Sequence, residues 1–373
     1  MRVLTITPGH APALGGIEAH VTELGRALVR AGAEVEVWTH DRMAHSGQSR
    51  VDSGVTVRSF PVTRSGRFPV APRLFRRAAS WGAQGFDIVH AHGYHSVAAL
   101  ATLLPRINAP IVFTPHYHGT GHTPLASALH RPYRFVGARL FAAAAAVVCV
   151  SEPERDLVLR DFPFARACTS VIHNAVSLER IHAARPFADE PPTVLVLGRI
   201  ETYKRVDAVM RAFDQLDHPG QLVVIGEGPD AGRVELQRRA LRRRRDIRLL
   251  GRLDDAEVGR WLRTARCVVS MSEKEAFGIV ALEGVAAGAH VVISDIPAHR
   301  TVRAIAPRGA VTLTSVDELP HSLRDALDAP PASPRIVRSW DAAAHEHISL
   351  YTRVLGRAGQ VELPDSFDER RSA

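Results

Sequence analysis

Two glutamates eight residues apart mark the part of this chain with the clearest chemistry. Glu275 precedes Phe277 and Gly278, and Glu283 follows an apolar run that predicts the first turns of a helix. A helix N-terminus presents unpaired N–H groups and the positive end of the helix dipole, which together suit a phosphate. The two carboxylates, roughly 12 Å apart along a helix, could accept hydrogen bonds from sugar hydroxyl groups. The pattern predicts a nucleotide-sugar site; an ordinary amphipathic helix with two solvated glutamates is the alternative.

A second group of polar residues follows the strand predicted at residues 193–197. Gly198 and Arg199 come directly after this strand, and Lys204 lies where the next helix should begin. Parallel strands deliver such residues to the carboxyl edge of a sheet, where α/β folds bind ligands. The chain has only two lysines, Lys204 and Lys274, which favours a functional role for a lysine here. Cations at this edge would neutralise a departing diphosphate, whereas the alternative is a solvated first helical turn.

Both patterns resemble motifs of the retaining glycosyltransferases with the GT-B fold, and most closely those of glycosyltransferase family 4. The resemblance extends over about residues 1–355. It implies that Glu275 faces the transferred sugar, that Glu283 holds the ribose hydroxyls, and that Arg199 and Lys204 bind the donor diphosphate. The chain departs from the family pattern at Arg205, where a glycine is usual.

Polar residues also follow the strands predicted in the first half of the chain. Gly16 ends a Gly-Gly turn after the first strand, and histidines follow two later strands, including His92, His116 and His118. The family resemblance implies that Gly16 contacts the donor phosphate or the acceptor and that His116 reaches the transferred sugar. His92 and His118 are the candidates for the acceptor side, and His90 is a weaker one.

The resemblance assigns the remaining donor contacts mainly to backbone groups. The turn that ends at Leu253 would hold the nucleobase, and the start of the helix after Glu275 would hold the diphosphate. The predicted catalytic residues are Glu275, His116, Arg199 and Lys204; the predicted donor-binding residues are Gly16, Arg199, Lys204, Leu253, Phe277, Gly278, Ile279, Val280 and Glu283.

Strands and helices alternate along the chain, and 373 residues exceed the usual size of one compact core. The prediction is therefore an α/β protein with two Rossmann-like domains. By resemblance these form a GT-B fold, in which the domains face each other across a cleft and a C-terminal helix crosses back to the first domain. The predicted parts are an acceptor-binding domain at 1–185, a donor domain at 193–335, the returning helix at 338–356 and a polar tail at 357–373.

Composition excludes several other classes of protein. Hydrophobic residues make up 46% of the chain and charged residues 23%, which is typical of a soluble globular enzyme. The sequence lacks an Asp-x-Asp motif and metal-spaced Cys or His sets, and the glycine turn at 226–229 lacks the acidic residue of a dinucleotide site. We therefore expect no metal and no cofactor. The sequence also shows no signal peptide and no membrane-spanning stretch, which predicts a cytoplasmic protein.

The net charge of +8 raises the question of an anionic partner. An arginine-rich segment at 238–245 predicts a basic helix, but aromatic residues make up only 6% of the chain and are not interleaved with these arginines. We therefore expect no nucleic-acid partner, and a weak contact with the inner face of an anionic membrane is the alternative to a solvated helix face. The sequence does not indicate an oligomeric state.

The predicted function is the transfer of a sugar from a nucleoside-diphosphate sugar to a hydroxyl acceptor with retention of configuration. By family resemblance a UDP-sugar is favoured, and a small natural product or a cell-surface saccharide is the favoured acceptor. The alternatives are a peripheral membrane enzyme with a lipid acceptor, a noncatalytic sensor of nucleotide sugars, and a sugar-nucleotide epimerase.

Overall fold

The fold was analysed in a computed structural model, which describes residues 1–11, 15–41, 49–63, 69–81, 85–104, 107–119, 124–330 and 333–358. The strands are β1 (Arg2–Ile6), β2 (Glu34–Asp41), β3 (Ser49–Asp52), β4 (Val55–Pro61), β5 (Ile88–His92), β6 (Ile111–Thr114), β7 (Ala146–Cys149), β8 (Thr169–Val171), β9 (Thr193–Leu197), β10 (Gln221–Ile225), β11 (Ile247–Gly251), β12 (Ala265–Ser270), β13 (His290–Ser294) and β14 (Val311–Thr314). The helices are α1 (Gly16–Arg30), α2 (Pro72–Trp81), α3 (Pro124–Ala143), α4 (Glu152–Asp161), α5 (Leu178–Ala183), α6 (Val206–Asp214), α7 (Ala231–Arg239), α8 (Asp255–Thr264), α9 (Ile279–Ala287), α10 (Pro297–Ile305), α11 (Leu319–Asp328) and α12 (Trp340–Ala358), with short 3₁₀ helices at Ala98–Leu103, Pro163–Cys168 and Thr202–Lys204.

The first half of the chain forms one twisted sheet with helices on both faces. Among the described residues its strand order is β3-β4-β2-β1-β5-β6-β7-β8, and all neighbours are parallel except β3 and β4. The order reverses at β1, which pairs with β2 on one side and with β5 on the other. Ligands of such sheets bind beyond the carboxyl ends of the strands at this reversal. The loops after β1, β5 and β6 are therefore the expected binding edge of this domain.

The second half forms a separate parallel sheet with the order β11-β10-β9-β12-β13-β14. Its reversal lies at β9, which pairs with β10 and β12. The segments after β9 and β12 therefore start side by side at one edge, although they are about seventy residues apart in the chain. The prediction of two Rossmann-like domains is confirmed.

The last described helix joins the first domain. Val21, Leu24 and Leu28 on one face of α1 share a buried core with Trp340 and Tyr351 of α12. Apolar residues recur along α1 at helical spacing, so they form one stripe that packs against the sheet and α12. The expectation of a C-terminal helix that crosses back to the first domain is therefore confirmed. Of the predicted polar tail, residues 359–373 lie outside the described residues.

The segment before the second domain already packs on it. Helix α5, which the sequence prediction assigned to the first domain, contacts α8 and α9 of the second. This contact places Arg180 of α5 beside Glu283 of α9. A membrane-spanning helix is not found in the described part of the chain, because none of its helices combines sufficient length with sufficient apolar character.

The prediction of a basic helix over 238–245 is wrong. Helix α7 ends at Arg239, and the arginines that follow lie in turns. Arg243 donates to the carbonyls of Leu216 and Gly220, and its guanidinium lies 4.3 Å from the centroid of the Phe213 ring. Part of this arginine-rich segment thus anchors the turn before β11 by satisfying carbonyl groups.

Arg205, at a position where a glycine is usual in the family pattern, has a backbone conformation that favours glycine. It precedes α6 with φ 52° and ψ 36°, which is the left-handed region. An L-residue with a Cβ pays roughly 1–2 kcal/mol there. The side chain of Arg205 also pairs with Glu273 at 2.7 Å.

We expect Arg205→Gly to be more stable than Arg205→Ala by about 1 kcal/mol, because both variants lose the ion pair with Glu273 but only glycine relieves the backbone strain. Chemical denaturation of the two variants measures this difference in the free energy of unfolding. An alanine variant as stable as the glycine variant would show that the left-handed conformation is not strained.

Candidate functional site

A partly buried ion pair joins the two motifs of the second domain. Lys204 Nζ lies 2.5 Å from Glu275 Oε1. Burial opposes ionisation of both groups, but each charge favours the other: the pKa of Glu275 is held below its usual value and the pKa of Lys204 above its usual value. The two side chains meet because β9 and β12 are neighbours and their following loops share one edge. The site therefore contains a charged pair at neutral pH.

Polar neighbours hold this pair in place. Ser272 hydrogen-bonds to the Glu275 carboxylate, which favours its ionised form. His299 is fully buried, and its Nδ1 lies 2.9 Å from the Ser294 carbonyl oxygen, which fixes the N–H on Nδ1. Its Cδ2 lies so close to Gly278 that a Cβ there would be 3.1 Å away. A larger residue than glycine at 278 would press on this ring.

The N-terminus of α9 is open to a ligand. Gly278 precedes the helix with φ 101° and no side-chain cap. The first N–H groups of the helix, beginning at Ile279, are therefore available to an anion, and the helix dipole adds to their attraction. The Phe277 side chain is buried in the core of the second domain, so only its backbone can contribute to binding.

The interdomain cleft lies next to this helix and has a volume of about 680 Å³. Its second-domain wall includes Leu253, Ile279 and Glu283, and its first-domain wall includes Gly15 and Glu18 of the glycine loop and α1. Leu253 and Glu283 thus line one cleft, as a base site and a ribose site would require. Gly16 lies beside this wall as the first residue of α1.

Glu283 has a cationic partner that the sequence analysis did not identify. Arg180 Nη2 lies 2.9 Å from Glu283 Oε1, and Arg180 Nη1 lies 3.4 Å from Asp255. Burial raises the pKa of Glu283, and Arg180 counteracts that shift while Glu23 and Asp255 add to it. Arg180 therefore keeps the carboxylate of Glu283 oriented in the cleft.

Arg199 and Lys204 contact different carboxylates. Arg199 pairs with Glu201 at 2.7 Å, and about half of its side chain is exposed. Its charge also acts on Glu18 of the first domain, where burial raises the carboxyl pKa, and Arg199 partly offsets that shift. Arg199 is thus the more exposed of the two predicted cations, and Lys204 is the less exposed one.

The predicted histidines of the first domain form a buried cluster. His92 Nδ1 lies 3.4 Å from His116 Nε2, and His20 of α1 packs against both rings at centroid distances of 5.3 and 5.0 Å. His116 has a left-handed backbone, with φ 48°, which is rare for a residue with a side chain. His118 is close enough that its charge contributes to the lowered pKa of His116.

Burial keeps these imidazoles neutral. It is the main cause of the lowered pKa values of His92 and His116, and it lowers the pKa of His20 to about 3 and that of His347 to about 4. His90 is different in its contacts, since hydroxyl groups of Tyr351 and Thr114 lie 2.7 and 2.8 Å from its two nitrogens. Its role is thus to tie α12 to the sheet.

The two sides of the cleft are joined close to the site. Ser151 Oγ, at the start of α4, donates to the Ala276 carbonyl oxygen at 2.7 Å. In the same turn, the buried Glu154 carboxylate accepts hydrogen bonds from Val150 N–H at 2.6 Å and Tyr117 N–H at 2.5 Å. Burial raises the pKa of Glu154 to about 7 despite those bonds. These contacts fix the loop of His116 relative to the loop of Glu275.

The structure therefore brings together Lys204 with Glu275, His92 with His116, and Leu253 with Ile279 and Glu283. Sequence reasoning missed five contributing residues, which are Glu18, His20, Arg180, Ser272 and His299. Only Glu18, beside Gly15-Gly16, and Ser272, beside the Glu275 motif, carried a local signal. Arg180 and His299 belong to helices outside the motifs, and His20, although it lies in α1, contacts histidines that are about seventy residues or more away in the chain.

Two family models match the chain in succession. The model of Glycosyltransferase Family 4 matches residues 14–180, and the model of Glycosyl transferases group 1 matches residues 178–339. A glycogen synthase of Mycobacterium tuberculosis is 28% identical, over 91% of this chain and 89% of its own. A phosphatidyl-myo-inositol mannosyltransferase of Mycolicibacterium smegmatis is also 28% identical, over 100% of this chain and 99% of its own.

Solved structures share the same fold. The sucrose-phosphate synthase of Thermosynechococcus elongatus superposes with a TM-score of 0.70 and 18% identity, over 96% of this chain and 97% of that chain. At this identity the likeness supports the architecture alone. The GT-B arrangement expected from the sequence is thereby confirmed.

We predict that the free energy of unfolding falls as the pH is lowered from about 6.5 towards 4. An imidazole with a lowered folded-state pKa is neutral in both states above pH 6.5, but below it only the unfolded chain gains the proton. His347→Gln should therefore reduce the slope between pH 6.5 and 4 by up to ~1.4 kcal/mol per pH unit. Denaturant titrations at several pH values measure this slope.

The matched control for this experiment is His345→Gln, because His345 is exposed on the same helix. It should leave the slope unchanged. Equal slopes for wild type and His347→Gln would contradict the assignment of His347 as a buried neutral group.

Proposed function

Because this chain belongs to the family 4 glycosyltransferases with the GT-B fold, we propose that it transfers a sugar from a nucleoside-diphosphate sugar to a hydroxyl acceptor, with retention of configuration and without a metal ion. The observation that carries the proposal is the partly buried Lys204–Glu275 pair beside the uncapped N-terminus of α9. At one edge of the donor domain, this arrangement offers a site for an anion and a carboxylate that can accept hydrogen bonds from sugar hydroxyl groups.

The residues divide the work along the donor. The N–H groups at the start of α9 and Lys204 would bind the diphosphate and stabilise the charge that develops on it as the glycosidic bond breaks. Arg199 would contact the same phosphates from its more exposed position. Glu275 would accept hydrogen bonds from sugar hydroxyls, and Glu283, oriented by Arg180, would accept those of the ribose.

The first domain would complete the reaction from the opposite side. His116 is neutral because it is buried, so it can hydrogen-bond to the transferred sugar without a charge that repels the developing positive charge at the anomeric carbon. The acceptor hydroxyl would attack from the face that the diphosphate leaves, and a phosphate oxygen would take its proton. His92 and His118 stand on the acceptor side.

The base and the sugar are proposed in less detail. A UDP-sugar is the first donor to test. Guanosine and adenosine diphosphate sugars are alternatives, because Glu283 would bind the ribose hydroxyls of any of these nucleotides and does not select the base. Both relatives described above transfer sugars according to their names, one in making glycogen and one to phosphatidyl-myo-inositol. A small natural product or a cell-surface saccharide is the proposed acceptor.

A lipid acceptor is a second candidate that one observation favours. On the first domain, Phe135 of α3 has 82% of its surface exposed and Phe164 has 57% exposed. Arg134, the neighbour of Phe135, stacks on Phe162 at 5.7 Å, so that the two exposed rings belong to adjoining segments. Exposed aromatic rings beside cationic groups suit the surface of a membrane.

We predict that Glu275→Gln removes most of the transfer activity but little of the donor affinity, since the amide keeps the shape of the side chain and loses its charge. The donor is first identified by thermal shifts of the protein with UDP, GDP, ADP, CMP and their sugar conjugates in EDTA. Turnover and binding are then measured with that donor. Full turnover in Glu275→Gln would remove Glu275 from the proposed site.

Lys204→Met is the companion variant, because it keeps the aliphatic stem and removes the cation. It should weaken the binding of the nucleoside diphosphate by ~2 kcal/mol, as expected from the loss of a charge-assisted hydrogen bond.

The same assays test the alternative functions. Consumption of donor without any acceptor would indicate an epimerase, and binding without turnover on any acceptor would indicate a sensor. No shift with any nucleotide would overturn the donor site.

For the second candidate, we expect the wild-type protein to sediment with vesicles that contain anionic lipid, and Phe135→Ser with Phe164→Ser to reduce the bound fraction several-fold. Burial of one phenylalanine side chain in the bilayer interface contributes about 1.5–3 kcal/mol to binding, and each substitution removes this contribution. Val51→Ser, at another exposed apolar residue, is the control. Equal binding of all variants would count against a membrane face at these rings.

A further inference from the structure

Three buried histidines of the first domain bring one ring nitrogen each close together. Within the described part of the chain, His20, His92 and His116 form a group in which these nitrogens all lie within 4.8 Å of one another. They come from three separate segments: α1, the end of β5 and the loop after β6. Sequence spacing gave no sign of this group, because the three residues are far apart in the chain.

The distance between one nitrogen of His92 and one of His116 fits two ligands of the same metal ion, as well as a long hydrogen bond. His92 Nδ1 and His116 Nε2 are 3.4 Å apart, which is long for a hydrogen bond between two imidazoles. Two nitrogens bound to the same tetrahedral zinc ion at 2.0–2.1 Å are themselves separated by about 3.4 Å. The pair therefore already has the spacing of two ligands.

His20 supplies the third nitrogen in a suitable state. Its Nδ1 donates to Asn174 Oδ1 at 2.7 Å, which leaves the lone pair on Nε2. That Nε2 is buried and has no hydrogen-bond partner among the described residues. A ligating histidine commonly has its other ring nitrogen held in this way by a carbonyl oxygen, which fixes the tautomer. By contrast, His90 in the same cluster is satisfied by hydroxyl groups at both nitrogens.

We propose that His20, His92 and His116 bind one transition-metal ion of the Zn²⁺ class. Three neutral imidazoles suit Zn²⁺ or Co²⁺ rather than Mg²⁺, which prefers oxygen ligands. The ion would enter from the side of His116, because His116 is 8% exposed, whereas His20 and His92 are each 1% exposed. This ion takes no part in sugar transfer.

A consequence follows for activity, and it rests on the proposed function. His116 cannot both ligate an ion and contact the transferred sugar. Added Zn²⁺ should therefore inhibit transfer in competition with the donor, and EDTA should restore it. Binding of the ion is measured separately from activity, so that failure of this inference and failure of the proposed function are distinguishable.

The test is metal binding by the full chain after it has been stripped with EDTA. Equilibrium dialysis against buffered Zn²⁺ should give one more bound ion per chain for wild type than for His20→Gln, and the affinity of this ion should fall at least 10-fold in the variant. Co²⁺ should give the intense visible absorption of a tetrahedral site in wild type and not in His20→Gln. Asn174→Ala should lower the affinity for the ion by about 10- to 100-fold, because it removes the hydrogen bond that orients His20.

His347→Gln is the matched control, because His347 is also buried and neutral but does not belong to the group of three. It should bind the ion as wild type does. Circular dichroism in EDTA shows whether each variant is folded, and if His20→Gln is not folded, Asn174→Ala carries the test. Equal Zn²⁺ binding by wild type and the folded variants, or Co²⁺ spectra typical only of octahedral surface sites, would overturn the proposal.

Discussion

The contact between Lys204 and Glu275 is the interaction on which the candidate site depends. Both side chains are mostly removed from solvent, and the burial that opposes each charge is offset by the opposite charge of its partner. Together they place an ammonium group and a carboxylate 2.5 Å apart at one edge of the second domain. The pair requires β9 and β12 to be adjacent, so that the strand order of the second domain is also the condition for its chemistry.

The two domains present different groups to the candidate site. The second domain presents the Lys204–Glu275 pair and the N-terminus of α9, which suit a diphosphate. The first presents charged residues such as Glu18 together with imidazoles that burial keeps neutral, including His116. A charged leaving group and an uncharged sugar would thus each meet a matching surface. Ser151, through its hydrogen bond to Ala276, holds these two surfaces in register.

The same logic explains the residues that sequence reasoning missed. Arg180, His20 and His299 are not themselves part of a recognisable motif, and each acts by contacting a residue of a motif. Arg180 orients Glu283, and His299 lies against Gly278. Such partners support a site without a sequence pattern of their own, since any helix that packs nearby could supply them.

The sequence by itself determined the two Rossmann-like domains, the glycine turns and the acidic, basic and histidine candidates. These features depend on residues close together in the chain, where strand and helix periodicity is a direct physical signal. Only the tertiary structure decided which candidates meet. It paired Lys204 with Glu275 and brought His20 to His92, and it ended the basic helix at Arg239. Contacts between distant segments depend on strand order and helix packing, and a local pattern does not specify them.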